Sequence, residues 1–278
     1  MPTEDLTHRR QRTFRLEAVV LRHIDWGEAD RMVWLYSLEK GKLCAIAKGV
    51  RKPRSRKAGH LEPIMRVSLL LARGRDLSLI TQADTMDSYL PLHDDFKLST
   101  YAFYVVELLD RFTYEEEENR ALYCLLTDTF RRLCQPGDLD IVLRYYEVRL
   151  LDLVGFRPQL FQCAECRENI LPQDQFFSAE RGGALCPNCG HRISGSRPVS
   201  MTALKYLRHF QRSSFKEALR VKLPPALNRE IENLMEHYLT YLLERSLNTP
   251  AFLRRVRRIE AQGEDVQDGN EVGEGEKE

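Results

Sequence analysis

No run of eighteen apolar residues occurs in the 278-residue chain, which is about the length a helix needs to span a bilayer. The first twenty residues also lack the apolar core of a secretion signal. A cytoplasmic setting with no membrane partner is the expectation. Three catalytic patterns are missing as well: the phosphate-cradling GxxxxGK[ST], the metalloprotease HExxH and the nucleophile elbow GxSxG. Gly41-Lys42 lacks the upstream glycine that the first of these requires. Asp94-Asp95 and Glu62 are isolated carboxylates without metal-ligand spacing, whereas a magnesium-dependent nuclease would need clustered ones. The chain thus offers no enzyme site, and it has no internal repeat.

Net charge is nearly absent too, since 42 basic residues against 41 acidic give +1. The balance hides a polarised chain. From Glu260 to Glu278 eight acidic residues face one lysine, so this stretch carries −7 and the remainder +8. With four glycines and almost nothing apolar, 260–278 reads as a disordered acidic tail. Residues 1–12 are polar, include Arg9, Arg10 and Arg12, and read as a flexible basic arm. Hydrophobic residues make up 43% of the chain, enough for real cores, and the length suggests about two domains.

What is present begins with strand-like text over 13–84. Five short segments read as strands: Arg15–Leu21, which mixes alternation with a β-branched run, Arg31–Tyr36, the short apolar Lys42–Ala47, Arg66–Leu71 and Leu77–Thr81. Arg73-Gly74-Arg75-Asp76 suits a hairpin turn. Five strands without a strong helix among them predict a small barrel, and the OB-fold is the commonest five-stranded solution. Between its strands lies Lys48-Gly49-Val50-Arg51-Lys52-Pro53-Arg54-Ser55-Arg56-Lys57, with six basic residues and no acidic one. Gly49, Pro53 and Gly59 predict a flexible loop. Each lysine or arginine there could neutralise a phosphate and release a counterion. A lone charge run is usually just a solvated surface. Here Arg73 and Arg75 at the hairpin tip, and Arg12 and Arg15 beside the first strand, supply two further clusters, and together they point to nucleic acid. Phe14, Trp26, Trp34 and Tyr36 are candidates to stack on bases, although core packing is the ordinary role of each. OB barrels take RNA as well as DNA, so a zinc-containing RNA-binding or transcription-associated protein is the alternative.

From about Asp84 the period becomes helical. Tyr101, Tyr104, Val105, Leu108, Leu109 and Phe112 mark one helix. The acidic run Glu115–Glu118 suits the start of the next, whose apolar face is Leu122, Leu125, Leu126, Phe130 and Leu133. Further helices are expected over Ile141–Val154, Met201–Phe210, Ala226–Leu247 and Ala251–Ile259, the last ending in Arg254, Arg255, Arg257 and Arg258. The fold class expected is α+β: an N-terminal five-stranded OB-like barrel at 13–84, then a helical domain at 85–259.

Seven cysteines include two CxxC pairs, Cys163/Cys166 and Cys186/Cys189, with nineteen residues between the pairs. That is the spacing of a tetrahedral zinc site. The odd count and the expected reducing compartment argue against disulfides. Four thiolates close the metal shell, so one structural Zn2+ is expected, bracing a module at about 161–197 that is too small to build its own core. Gly190 suits the second turn through the positive φ that glycine tolerates, and adjacent His191 could replace one cysteine. Cys44, Cys124 and Cys134 sit in apolar text and read as buried thiols.

An ordered set of short pieces resembles the RecO family of bacterial recombination mediators. They are Glu28-Ala29-Asp30-Arg31, Gly41-Lys42, Ala47-Lys48-Gly49-Val50-Arg51, Arg54-Ser55-Arg56 and Leu61-Glu62-Pro63. Then come Tyr104 to Asp110, Gly155-Phe156-Arg157-Pro158, the cysteine quartet and Gly182-Gly183. The resemblance implies an OB barrel, a helical domain and a zinc module. It implies a non-catalytic protein that binds single- and double-stranded DNA and anneals complementary strands. It also implies work with RecR to load RecA, and docking of the acidic C-terminal tail of single-strand-binding protein on the helical domain. The acidic tail and basic arm of this chain go beyond the family pattern; the tail could compete with DNA or mimic the partner's acidic peptide.

Overall fold

The computed structural model of the chain describes residues 13–115 and 117–244, together with Leu253 and Val256. The basic arm with Arg12, the arginines at 254, 255, 257 and 258, and the acidic tail lie outside the described residues. Of the helix expected at 251–259 only Leu253 and Val256 are described, both helical and buried. The chain divides into two compact units, one drawn from Met1–Leu90 and Leu109–Arg131, the other from Pro91–Leu108 and Arg132–Glu278.

The first unit is built on five strands: β1 (Thr13–Trp26), β2 (Asp30–Ser37), β3 (Gly41–Ala47), β4 (Arg66–Ala72) and β5 (Ser78–Asp87). They pair in the order β1-β2-β3-β5-β4, and β4 returns to β1, so every strand has two neighbours. All pairings are antiparallel except β3 with β5. Alternate residues Val33 and Leu35, Ala45 and Ala47, and Val67 and Leu69 turn inward to one buried core. β1 is longer than its sequence suggests. It pairs with β4 only as far as Val19, bulges between Val20 and Arg22, and continues with β2 alone to Trp26. β5 likewise runs on to Asp87, past the expected change of period near Asp84.

The last turn of α2 (Phe96–Phe112) and most of α3 (Arg120–Leu133) complete this unit. The run Glu115–Glu118 does not open a helix; α3 begins only at Arg120. Instead Glu115 makes an isolated bridge with Lys42. Gly41, at φ +63°, lies so close to the Glu117 carbonyl that a Cβ would stand 1.9 Å from its oxygen. Lys42 donates to the Asp110 carbonyl at 2.6 Å and pairs with the Asp110 carboxylate, placing a cation at the negative end of α2. Gly41-Lys42 therefore has a structural task in this fold.

The second unit begins with the one-turn helix α1 (Pro91–Asp94) and most of α2, and centres on α4 (Leu139–Leu153). Asp138 caps α4 by accepting from the backbone N–H groups of Asp140 and Ile141. α4 is buried on nearly every side, which is why its sequence lacks a clear polar face. The chain then forms a three-stranded sheet, ordered β7-β6-β8, from β6 (Gln175–Ser178), β7 (Gly183–Leu185) and β8 (Arg197–Val199), with the single-turn α5 (Pro187–Gly190) between the last two in sequence. Helices α6 (Met201–Arg212), α7 (Phe215–Ala218) and α8 (Pro225–Leu243) follow. Gly182-Gly183 pairs with Gln159 in both directions, through Gln159 N–H to the Gly182 carbonyl and Ala184 N–H to the Gln159 carbonyl. A Cβ on Gly183 would stand 2.3 Å from that Gln159 oxygen. The glycine pair thus fastens the cysteine module to the segment leaving α4. No described helix is long and apolar enough to cross a membrane.

Candidate nucleic-acid interface and metal centre

The basic loop after β3 is irregular, as expected, but it is a chain of hydrogen-bonded turns. Lys52 N–H donates to the Gly49 carbonyl, Ser55 N–H to the Lys52 carbonyl, and a 3₁₀ turn at Ala58–His60 closes it. Two contacts tie its start to the β1–β2 tip. The Gly49 N–H donates to the Asp30 carboxylate at 2.7 Å, and the Arg51 N–H to the Ala29 carbonyl at 2.9 Å. Arg31 reaches Asp25 at 3.1 Å and Glu62 at 2.9 Å, and His23 joins Glu62 at 3.2 Å. Burial disfavours a charged Glu62, but the hydrogen bonds from His23 and Arg31 outweigh it and hold its carboxyl below the ordinary range. Glu28–Arg31, Lys48–Arg51 and Leu61–Pro63, which are distant in sequence, are therefore one locking assembly.

This assembly sorts the sequence-derived cations. Lys57 is not free to meet a phosphate. Its ammonium donates to the carbonyls of Lys48 and Ile80, each at 3.0 Å, and burial lowers its pKa. Arg51 is half committed, with Asp25 at 3.3 Å and the Gly27 carbonyl at 3.4 Å. Lys48, Lys52, Arg54 and Arg56 are exposed and form no ion pair among the described residues. Arg15, Arg73 and Arg75 are exposed too, Arg73 lying over the Phe14 ring at 5.8 Å.

The four aromatic candidates also separate. Tyr36 is wholly buried and cannot stack on a base. It is absent from the inner core cluster, and burial with nearby Glu117 raises its pKa. Phe14 lies beneath Lys40 at 4.4 Å, and Trp34 beneath Arg22 at 3.6 Å. Trp26 stands 56% exposed at the β1–β2 tip.

In the second unit the four paired cysteines converge. Their sulfurs all lie within 4.8 Å of one another, and every cysteine of the chain is a free thiol. Cys166 and Cys186 are 3.8 Å apart, far beyond a disulfide bond of about 2.05 Å. Cys163 is buried; the Cys186 N–H points at its sulfur at 3.4 Å. Burial opposes ionisation there, yet backbone N–H groups of Cys166, Cys186 and Glu165 pull the Cys163 thiol down to about 7. Desolvation and the neighbouring sulfurs push Cys189 up to about 12. Four thiols so close cannot all ionise without a shared cation, and an all-sulfur set of this size could hold a metal ion.

Two details correct the sequence reading. Gly190 has no left-handed φ. It is glycine because a Cβ would stand 2.3 Å from the Phe176 ring, and Arg167 is the residue with φ +66°. His191 does not join the sulfurs; it packs edge-on against Phe176 at 4.7 Å. The remaining thiols are less buried than expected, Cys44 and Cys134 partly so and Cys124 exposed.

The same unit holds a groove that the sequence reading misses. A cavity of about 620 Å³ is lined by Phe161, Lys205, Tyr206, Arg208, His209 and Arg212, among others. Arg208 donates to the Leu160 carbonyl through two nitrogens, at 2.9 and 2.6 Å, and Arg212 stacks on Phe161 at 3.7 Å. Burial and the neighbouring Arg212 lower the Arg208 pKa. Its signal in the sequence is Lys205, Arg208 and Arg212, a basic stripe at helical spacing.

A closed five-strand sheet, followed by a helical unit with a four-thiol cluster, defines a mixed α+β protein. The comparisons name the family. Residues 11–89 match the family model described as Recombination protein O N terminal, and residues 93–251 match Recombination protein O C terminal. The chain is 38% identical to the DNA repair protein RecO of Roseiflexus sp. (strain RS-1) over 250 residues, 90% of this chain and 88% of the relative. It is 34% identical to the DNA repair protein RecO of Dehalococcoides mccartyi (strain ATCC BAA-2266 / KCTC 15142 / 195), covering 88% of this chain and 96% of the relative. Against that of Pelotomaculum thermopropionicum (strain DSM 13744 / JCM 10971 / SI) the identity is 34%, over 89% and 96%. The chain belongs to the RecO family, and its role lies in DNA repair.

Proposed function

We propose that this chain is a non-catalytic recombination mediator that binds single- and double-stranded DNA, anneals complementary strands, and works with RecR to load RecA onto DNA coated by single-strand-binding protein. The observation that carries the reading is the set of solvent-facing cations Lys48, Lys52, Arg54 and Arg56, unpaired within the described residues and set on a loop that Asp30 and Ala29 hold in place. Two DNA strands repel each other through their phosphates. A rim of fixed cations lowers that repulsion by neutralising phosphates and releasing counterions, and the step needs no bond chemistry or nucleotide hydrolysis. Arg12, Arg15, Arg73 and Arg75 are further candidates for phosphate contact in this reading, whereas Lys57 serves to hold the loop.

In this proposal residues 13–84 act as an OB-type DNA-binding barrel, with 85–259 as the helical partner domain, in the cytoplasm at the nucleoid. Cys163, Cys166, Cys186 and Cys189 hold one Zn2+, which closes their mutual repulsion and braces the module at 161–197. The groove around Phe161, Arg208 and Arg212 receives the acidic tail of single-strand-binding protein, because crowded guanidinium groups suit a carboxylate-rich peptide.

Annealing of complementary oligonucleotides coated with the cognate single-strand-binding protein tests the reading. The unaltered chain should accelerate it, and a variant with Lys48, Lys52, Arg54 and Arg56 changed to Ala should not. Equal acceleration by both would place DNA contact elsewhere.

A further inference from the structure

We infer that Trp26 stacks on an unpaired base and so lets this surface tell single-stranded from double-stranded DNA, an inference that rests on the DNA-binding reading above. Of the four aromatic candidates it is the one that is exposed and has no cation over its ring among the described residues. The pairing register puts Trp26 and Ile24 of β1 on the same face as Met32 of β2 and Ile46 of β3. That face is opposite to Val33, Leu35, Ala45 and Ala47, which fill the core. Ile24 is itself 45% exposed. An exposed apolar pair, Ile24 and Trp26, backed by the partly buried Met32 and Ile46, therefore lies at the tip to which the basic loop is tied.

The charge is placed to serve it. Asp30, the register partner of Trp26 and on its face, accepts from the Gly49 N–H at the start of the basic loop, while Arg51 reaches the Gly27 carbonyl and, on the opposite face, the Asp25 carboxylate. The Asp30–Gly49 and Ala29–Arg51 hydrogen bonds fix the basic loop to the same tip. A phosphate held at the loop would bring its base over the indole. In a duplex the bases are already stacked on each other, so only the phosphates can be engaged. The cations thus serve both forms of DNA, and the indole adds affinity for the unpaired form alone.

The chain has two tryptophans, so Trp34→Phe in the full-length protein leaves Trp26 as the sole indole. Titration with a dye-labelled oligothymidine, and separately with a duplex of equal length, reads binding by anisotropy and stacking by indole emission. The expected result is emission quenched by oligothymidine and little changed by duplex. Trp26→Ala in the otherwise unaltered chain should weaken oligothymidine binding about tenfold, within the range of one base stack, leave duplex binding unchanged, and be largely rescued by Trp26→Phe. Bound oligothymidine with unquenched Trp26, no loss in Trp26→Ala, or equal loss for both DNA forms would overturn the inference. A chain that bound neither oligonucleotide would overturn the DNA-binding reading itself.

Discussion

Arg144 and Lys52 put a positive charge to opposite uses. In the second unit the Arg144 guanidinium, 2% exposed, meets the fully buried Glu147 carboxylate at 3.0 Å, and the Tyr104 hydroxyl donates to the same carboxylate at 2.6 Å. Burial and this carboxylate keep the Tyr104 phenol protonated, with its pKa well above the ordinary value. In the first unit Lys52 and its neighbours Lys48, Arg54 and Arg56 face solvent with no acidic partner among the described residues. Interior charge is consumed by the fold, while the loop cations meet no acidic group among the described residues. The cysteine cluster belongs with the interior group, because its sulfurs are arranged for one another.

The contrast can be broken at its strongest point first. Chelation of the proposed Zn2+, or Cys163→Ser with Cys186→Ser, should give the largest effect. Structural zinc in small modules contributes on the order of 10 kcal/mol, so thermal unfolding should shift far downward, with one metal lost per chain by metal analysis. A melting curve indifferent to a chelator would contradict a bracing role. Next, Glu147→Ala leaves Arg144 buried without this carboxylate and removes the acceptor of Tyr104. It should cost about 3–5 kcal/mol in urea unfolding, with DNA salt dependence intact.

A sharper comparison sits within the loop itself. Lys57→Met should cost about 1 kcal/mol of stability by removing its two hydrogen bonds and leave the salt dependence almost unchanged. Lys52→Ala should do the reverse, with stability within about 0.5 kcal/mol and the salt slope reduced by about 0.7–0.9. If the two behaved alike, the division between holding and binding cations would fail. The smallest effect is expected from deleting residues 260–278, which removes −7 of charge. DNA binding should tighten at low salt and the gain should fade as salt rises; unchanged affinity would remove the idea that the tail competes with DNA.

Local pattern carried much of this molecule. The strand at Arg31–Tyr36 announces itself by its two faces and that at Lys42–Ala47 by a short apolar run after Gly41, and the CxxC spacing brings the four sulfurs together. What local pattern could not carry was decided by distant segments. Trp34 and Tyr36 share a face, yet only Tyr36 is fully buried, on the side where Asp110 and Glu117 return beside Lys42 and Gly41. Lys57 looks like its neighbours until the Ile80 carbonyl, 23 residues on, claims its ammonium. Glu115–Glu118 carries the composition of a helix start but bridges toward Lys42 instead. Gly190 has the look of a turn residue, and Phe176, which forbids a Cβ there, is fourteen positions away. The groove of Arg208 and Arg212 is visible as a stripe on α6; what hides it is that Phe161, its floor, comes from the far side of the cysteine module.

The most direct test is the salt dependence of oligonucleotide binding for the unaltered chain and for the variant with Lys48, Lys52, Arg54 and Arg56 changed to Ala. The slope of log affinity against log salt should fall in magnitude by about 3, at roughly 0.7–0.9 for each phosphate no longer neutralised. An unchanged slope would contradict the assignment of DNA contact to this loop.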